Sequence, residues 1–383
     1  VAETLILVSV SPGERRVAVL RDDRLHLAVV ERPARPDGVG DLHRARVSAI
    51  SKPMSGAFLA LADGSTAFLP ENEASADRLP IGKAVQEGLV LPVRVTRAAQ
   101  GGKGPRVTAR LTESERAAAA GEGVALLRRG PDAALRVAAA FRDAPVLVDG
   151  AAEAARLRAR LGAARVALQH RPAFDDALEA EFDGLCGPDI PLPGGGRLLV
   201  HPTPALTAID VDAGSAAGIG DAASPMRLNE LALAEAARQI RLRNLAGAIL
   251  VDVAGLTPKR REALAAPFAA ALAEDPLRPR LLGLTRLGLF EVQRQRIHPP
   301  LHEVLGWPPS PLSHGLVALR RAAREAALRP SRRLALRAAP AVLAAIGAEA
   351  GALAEYAAGA GSALALCPDR DLAPGREVIE DAA

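Results

Sequence analysis

A multidomain α/β protein carrying a small β-barrel is the fold class this sequence predicts. Three observations predict it. The chain has 383 residues, 49% of them hydrophobic, enough for roughly two to four domains with cores of their own. Between positions 44 and 96, short apolar stretches are separated by Gly, Pro, Asp and Ser, the spacing of a small barrel. Between positions 205 and 292, apolar strands alternate with segments of helical period, which is an α/β layer.

Each element follows in order. Residues 4–10 and 16–20 read as a strand pair joined across Pro12-Gly13. A proline-rich link from Arg32 to Gly40 precedes the barrel strands 44–50, 56–61, 66–69 and 89–96. Phe58 and Phe68 lie on two of these strands, in a chain with seven Phe, one Trp and one Tyr. Two readings stand for them: barrel core, or an exposed pair on which bases stack. Arg94, Arg97, Lys103, Arg106 and Arg110 follow without an acidic residue between Pro92 and Arg110. They form either a polyanion-facing edge or an ordinary solvated face. Of the 48 basic residues only Lys52, Lys83, Lys103 and Lys259 are lysine, a bias that, like the alanine richness, fits high-GC coding.

Residues 114–190 mix Ala-rich helical segments with short strands at 124–127 and 144–148. A helix is expected over 151–161, with Leu157 and Leu161 four apart. The break Pro191-Leu-Pro-Gly-Gly-Gly introduces two strands, 205–212 and 247–252, each ending in aspartate. The helix between them has Ser224 as its cap, Pro225 in its first turn, and Leu228, Ala232, Ala236 and Ile240 at i+4 spacing. Arg238, Arg241 and Arg243 near its end complement the helix dipole and can meet phosphates. Thr257-Pro258 starts another helix, and a third strand region, 281–292, runs into Arg294-Gln-Arg296. Pro308, Pro309 and Pro311 mark a linker. The remaining residues, 316–383, form a small α/β unit with strands near 334–337 and 363–367. No internal repeat is present.

The aspartates carry the chemistry. Alternation puts Leu206, Ala208, Asp210 and Asp212 on one face of the first strand and Thr207, Ile209 and Val211 on the other. The second strand is a continuous apolar run, which predicts cover on both faces. A carboxylate at the mouth of a buried strand is costly unless it binds something, and a divalent cation is the commonest shared ligand. A helix cap or loop anchor is the other reading. No apolar run reaches the ~18–20 residues that span a bilayer. The segment Val1-Ala-Glu-Thr-Leu-Ile-Leu-Val reads as a first strand and not a signal peptide. Cys186 and Cys367, with no CxxC pair, point away from a disulfide framework or a thiolate zinc site, and towards a reducing, cytoplasmic protein.

Several long motifs, in order, resemble the ribonuclease E/G family. They are Leu192-Pro-Gly-Gly-Gly-Arg-Leu-Leu-Val, Ala205-Leu-Thr-Ala-Ile-Asp-Val-Asp, the run from Ala234 to Asp252, Gly283-Leu-Thr-Arg-Leu-Gly-Leu-Phe-Glu-Val-Gln-Arg-Gln-Arg296 and Pro300-Leu-His-Glu-Val-Leu305. Val39-Gly-Asp-Leu, Gly56-Ala-Phe-Leu-Ala-Leu, Ala67-Phe-Leu-Pro and Gly102-Lys-Gly-Pro-Arg-Val-Thr resemble its S1 insertion. The resemblance implies a ribonuclease-H-like half-domain over 1–36 and 122–190, interrupted by an S1 barrel (OB-fold) over 37–112. A DNase-I-like catalytic domain over 191–306, a degenerate zinc-link linker over 307–315 and a small C-terminal domain over 316–383 follow. It implies Mg²⁺-dependent endonucleolytic cleavage of single-stranded RNA, leaving 5′-phosphate and 3′-hydroxyl ends. Asp210 and Asp252 match the metal-binding carboxylates, and Asp212 stands where the family usually has Asn. Phe58 and Phe68 match the stacking positions, and Lys103 a basic position beside the RNA, with Arg106 and Arg110 nearby.

Three departures qualify what the resemblance implies. Ser310 and Ser313 stand at the positions of the family's zinc-linking cysteines, so neither zinc nor a zinc-linked dimer is expected. Leu111 runs almost directly to Val124, without the domain-sized 5′-monophosphate sensor or its Arg-Thr pair. The loop after Asp212 lacks the family's basic residue, and Leu231 replaces a glutamate. Two alternatives to a compact ribonuclease are a non-catalytic RNA-binding relative and a structural subunit of a larger assembly.

Overall fold

The computed structural model describes residues 3–77, 79–193, 195–214 and 225–382. The chain folds as two compact units. One comprises Asp37–Asp132 with Arg296–Pro299, and the other the remainder.

In the larger unit, β1 (Thr4–Ser11), β2 (Glu14–Arg21) and β3 (Arg24–Glu31) form an antiparallel meander. The first two are the strand pair expected from sequence. The third had no glycine to announce it: Asp22 and Asp23 make its turn, with φ of 49° and 58°. Asp is one of the few residues that tolerate this left-handed region.

The smaller unit is built on β4 (Leu42–Ser51), β5 (Gly56–Ala60), β6 (Thr66–Pro70), β7 (Val90–Arg97) and β8 (Arg106–Thr108). Their order β5-β6-β8-β7-β4 closes on itself through the β4–β5 pairing, giving an OB-like five-stranded barrel. Its core is aliphatic and small: Ala45, Val47, Ala57, Leu59, Ala67, Leu69, Val93, Val95 and Val107. β9 (Ala125–Arg128) pairs with β4, so residues 113–132 join the barrel unit, beyond the expected boundary at 112. The segment after Leu111 holds one short helix, Glu113–Ala118, with a capping box between Thr112 and Glu115.

β10 (Val146–Val148) and β11 (Val166–Leu168) extend the first sheet in parallel on the β1 side, in the order β11-β10-β1-β2-β3. This sheet is covered on both faces. Ile6, Val8, Val17 and Val19 pack with Val137, Ala154 and Leu157 of two helices, the second of which spans Ala151–Leu161 as expected. Leu7, Ala18, Leu25 and Ala28 pack with Leu178 and Phe182 of the helix Asp176–Gly184 and with Leu242.

A second sheet contains β12 (Asp189–Pro191), β13 (Arg197–Pro202), β14 (Thr207–Asp212), β15 (Gly247–Asp252), β16 (Arg280–Leu284) and β17 (Phe290–Arg294), in the order β12-β13-β14-β15-β17-β16. Only β14–β15 is parallel. The single strand region expected over 281–292 is therefore a hairpin, turned at Thr285–Gly288 where the Gly288 amide donates to the Thr285 carbonyl. One face packs Leu198, Ile209, Val211, Ile249, Val251 and Phe290 against Leu233, Ala236, Ile240 and Phe268. The helix Pro225–Leu242 carries the predicted i+4 stripe inward, although Ser224 lies outside the described residues. The other face is open: Ala208 and Ala248 are exposed. The expectation that 247–252 is covered on both faces is thus corrected; its apolar run tracks one helical layer, while small or half-exposed side chains occupy the outer face.

The arginines expected to meet phosphates at the end of this helix are internal fasteners. Arg241 donates to the His26 carbonyl at 2.8 Å, and Arg243 to the Gly187 carbonyl at 2.6 Å and to Gln239. Arg238 pairs with Glu181 and Glu235. Arg294 is buried against Asp275 at 2.7 Å. Each neutralises or bonds an acceptor that burial would otherwise orphan.

The C-terminal sheet is β19-β18-β20, from β18 (Leu334–Ala338), β19 (Ala365–Pro368) and β20 (Val378–Asp381). The expected linker over 307–315 ends early, because Ser310 caps the helix Pro311–Leu328. Among the described residues no single helix is long and apolar enough to cross a membrane.

Candidate functional site

Asp210 and Asp252 are register partners across the parallel β14–β15 ladder. Equal register in parallel strands gives their side chains the same face and the same end. Asp210 is exposed and Asp252 half-buried, both on the open face. The sequence expectation of a buried strand mouth is corrected in this respect: the acids sit at an open edge where ligands and water have access.

The surroundings of Asp252 are built, not incidental. Arg261, from the helix Pro258–Ala263, donates to Asp252 Oδ1 at 3.0 Å and to the Gly288 carbonyl at 2.8 Å. Asn229 is fully buried on the helix Pro225–Leu242. Its amide donates to the Ala254 carbonyl at 2.9 Å and accepts from the Ala254 amide at 3.0 Å, clamping the chain just past Asp252. Sequence reading missed both residues. A buried asparagine in a helix interior was the available signal, since Asn disfavours that setting. An arginine in a short helix gives none.

Asp212 faces the same side but is already engaged. Its Oδ1 accepts from the Gly214 amide and its Oδ2 from Arg197, both at 2.9 Å. These two donors hold its carboxyl below the ordinary carboxylate range. Gly196, beside Arg197, permits the close approach: a Cβ there would meet the Asp212 carbonyl at 3.1 Å and Leu228 at 3.0 Å. Glu291, opposite Leu250, adds a half-buried carboxylate to this face that the sequence had not singled out. Among the described residues no three His, Cys, Asp or Glu side chains gather closely enough to hold a metal between them. The described geometry offers two neighbouring carboxylates.

In the barrel unit, Phe58 and Phe68 are directly opposed on β5 and β6, with ring centroids 5.4 Å apart. Both are half-buried, on the side opposite the inward Ala57, Leu59, Ala67 and Leu69. Neither belongs to the core. Phe68 lies over Gly56, where a Cβ would come within 2.3 Å of its ring. Arg106 pairs with Phe68 in the ladder and holds its guanidinium 5.8 Å from the ring centroid, within cation–π reach. Across β7–β8 it opposes Arg97. Burial, then the charges of Arg106 and Arg296, push the Arg97 guanidinium below its ordinary value, as like charges do. Lys103 is exposed at a turn closed by mutual Gln100–Lys103 backbone bonds. Arg110 is exposed just beyond β8. Arg94 leaves the expected basic edge: Glu115, from outside the acid-free stretch, binds it at 2.7 Å.

If the pair is a base-stacking platform, Phe68→Ala will weaken single-stranded RNA binding by ~1–3 kcal/mol, measured by fluorescence anisotropy. The melting curve should stay cooperative, because the ring is outside the core. A variant that no longer folds would return Phe68 to a structural role. Raising salt should weaken binding with a slope of about 0.7 per phosphate contact.

Ser310 and Ser313 are bonded within the chain. Ser310 accepts from the Ser313 amide, and buried Ser313 donates to the Leu305 carbonyl at 2.5 Å while accepting from Arg32 at 2.7 Å.

The profile of the ribonuclease E/G family matches residues 136–297. Ribonuclease E of Nostoc sp. is 40% identical over 121 residues, which is 31% of this chain and 18% of that protein. Ribonuclease E of Escherichia coli is 35% identical over 128 residues, covering 33% and 12%. Ribonuclease G of the same organism is 25% identical over 397 residues, covering 78% and 81%. The chain thus spans less than a fifth of these ribonuclease E relatives and about four-fifths of ribonuclease G. The profile takes in Asp210, Asp252 and the strand–helix–strand that opposes them, and the likeness to ribonuclease G extends over most of the sequence.

Proposed function

We propose that this chain is a metal-dependent endoribonuclease that cuts single-stranded RNA to leave 5′-phosphate and 3′-hydroxyl ends. The observation that carries the reading is the Asp210–Asp252 register, two carboxylates side by side on an open sheet face. The donor set fits Mg²⁺, which takes one or two carboxylates and keeps several waters. The Asp210 carboxylate has no hydrogen-bond partner among the described residues, and the Arg261 bond to Asp252 is made at Oδ1, so carboxylate oxygens remain for a cation. When bound, the cation would supply an activated water and neutralise phosphate charge. Arg261 and Asn229 fix the Asp252 carboxylate and the backbone beyond it. The Phe58–Phe68 pair with Arg97, Arg106, Lys103 and Arg110 would hold bases and phosphates.

The same reading takes the first sheet as ribonuclease-H-like, supported by its meander extended by two parallel strands on the β1 side. It takes the second sheet as the DNase-I-like catalytic layer. Incubating the protein with a short unstructured RNA, with and without Mg²⁺, tests the activity. Binding without Mg²⁺-dependent cleavage would establish the non-catalytic relative instead.

Recognition of a 5′-monophosphate needs fixed donors around that group. Between the barrel and β9 there is only the helix Glu113–Ala118, and Glu115 there is committed to Arg94 and Thr112. One RNA carrying either a 5′-monophosphate or a 5′-hydroxyl should be cut at similar rates. A preference above about tenfold, or 1.4 kcal/mol, would mean that another 5′-end pocket exists.

A further inference from the structure

β13 places Arg197 directly opposite Asp212 in the antiparallel ladder. Its Nε and Nη2 each lie 2.9 Å from Asp212 Oδ2, and its Nη1 lies 3.1 Å from Asp189 Oδ2. One guanidinium therefore serves two carboxylates while its own side chain stays 50% exposed. Exposed pairs of this kind add little to stability, so stability is a poor reason for the arrangement. Two of the five guanidinium N–H groups are hydrogen-bonded, one from Nε and one from Nη1, and Nη2 stands in ion-pair contact with Asp212, which leaves N–H groups for another acceptor.

The position gives that acceptor an identity. Leu199, two residues after Arg197, is the register partner of Asp210, so Arg197 shares the open face and is a diagonal neighbour of Asp210. Diagonal cross-strand neighbours are about 7–8 Å apart, within reach of a long side chain. Asp210, Asp212, Asp252 and Glu291 put four carboxylates on one face, which repels a polyanion. Arg261 answers Asp252, and Arg197 answers Asp212. Residues 213–220, which follow Asp212, contain no basic side chain, so β13 supplies the cation on this side of the site.

We propose that Arg197 is a phosphate-binding residue of this site. Asp212 and Asp189 hold its guanidinium in place, and its remaining N–H groups bind a backbone phosphate oxygen of RNA beside Asp210. This rests on the RNA-processing reading above, but its test does not require cleavage. The salt dependence of single-stranded RNA binding is measured in EDTA for the wild type, Arg197→Ala, Arg197→Lys and the double variant Arg197→Ala/Asp212→Asn. Arg197→Ala is expected to weaken binding about tenfold and to lower the salt slope by about 0.7, the loss of one phosphate contact. Arg197→Lys should keep the slope and lose part of the affinity, because the ammonium keeps the charge without the fork. The double variant should stay at the lowered slope. An unchanged slope in Arg197→Ala overturns the proposal. So does recovery of wild-type slope and affinity in the double variant, which would mean that Arg197 does no more than mask Asp212. Wild-type protein that binds RNA but never cuts it would remove the endonuclease reading while leaving this result to be judged on the slopes.

Discussion

Asp210→Asn and Asp252→Asn should each slow Mg²⁺-dependent cleavage by at least ~100-fold, because each removes a charge that stabilises the transition state through the bound cation. The substitution is nearly isosteric. At position 252 the amide oxygen can still accept from Arg261, which also holds the Gly288 and Leu256 carbonyls, so the local fold should survive. RNA affinity in EDTA should not fall, since the Phe58–Phe68 pair and its basic neighbours are untouched and a charge that repels phosphate has been removed. The two effects separate catalysis from binding in one pair of variants. Wild-type cleavage rates in both would remove these residues from the site, and loss of RNA binding alongside cleavage would point to a damaged fold.

Much of this site was legible because its information is local. Alternation along 205–212 sorted Asp210 and Asp212 from Ile209 and Val211, and the structure keeps that sorting. The helix after Pro225 announced its inward face by its i+4 stripe. Other features depend on register or on distant partners. That Asp210 meets Asp252 at equal height is a property of the ladder. The Arg197–Asp212 pair arises because a hairpin brings together residues on different strands. Arg94 read as part of a basic edge until Glu115 folded onto it. Phe58 and Phe68 could have faced either way, since both faces of a barrel strand tolerate an aromatic ring. Gly56 leaves the space that Phe68 occupies outside. Arg241, Arg243 and Arg294 misled for a related reason: an arginine that satisfies buried carbonyls and one that waits for phosphate have the same sequence signature.

The largest expected loss of stability lies away from the carboxylates, at Glu179. This residue, on the helix Asp176–Gly184, binds Arg16 of β2 at 2.6 Å and pairs with Arg320 and Arg324 of the helix Pro311–Leu328. Arg16 is buried and also stacks on Phe174, 4.6 Å from the ring centroid. Arg320 is buried as well and reaches Glu14 at 3.0 Å. Burial alone would raise the Glu179 carboxyl, but the hydrogen bond and charge of Arg16, with Arg320 and Arg324, outweigh it and hold it down at about 2, against an ordinary value of 4.5. A depressed folded value stabilises the protein above the unfolded value, so the contribution is complete above pH 4.5 and is lost as pH falls from there towards 2. Glu179→Gln removes the anion and leaves buried guanidinium groups short of countercharge, a change that typically costs about 3–5 kcal/mol. Urea unfolding at neutral pH should register that loss, and the difference between wild type and variant should shrink as pH falls through the same window. A loss below about 1 kcal/mol, the worth of an exposed ion pair, would show that water already screens this network.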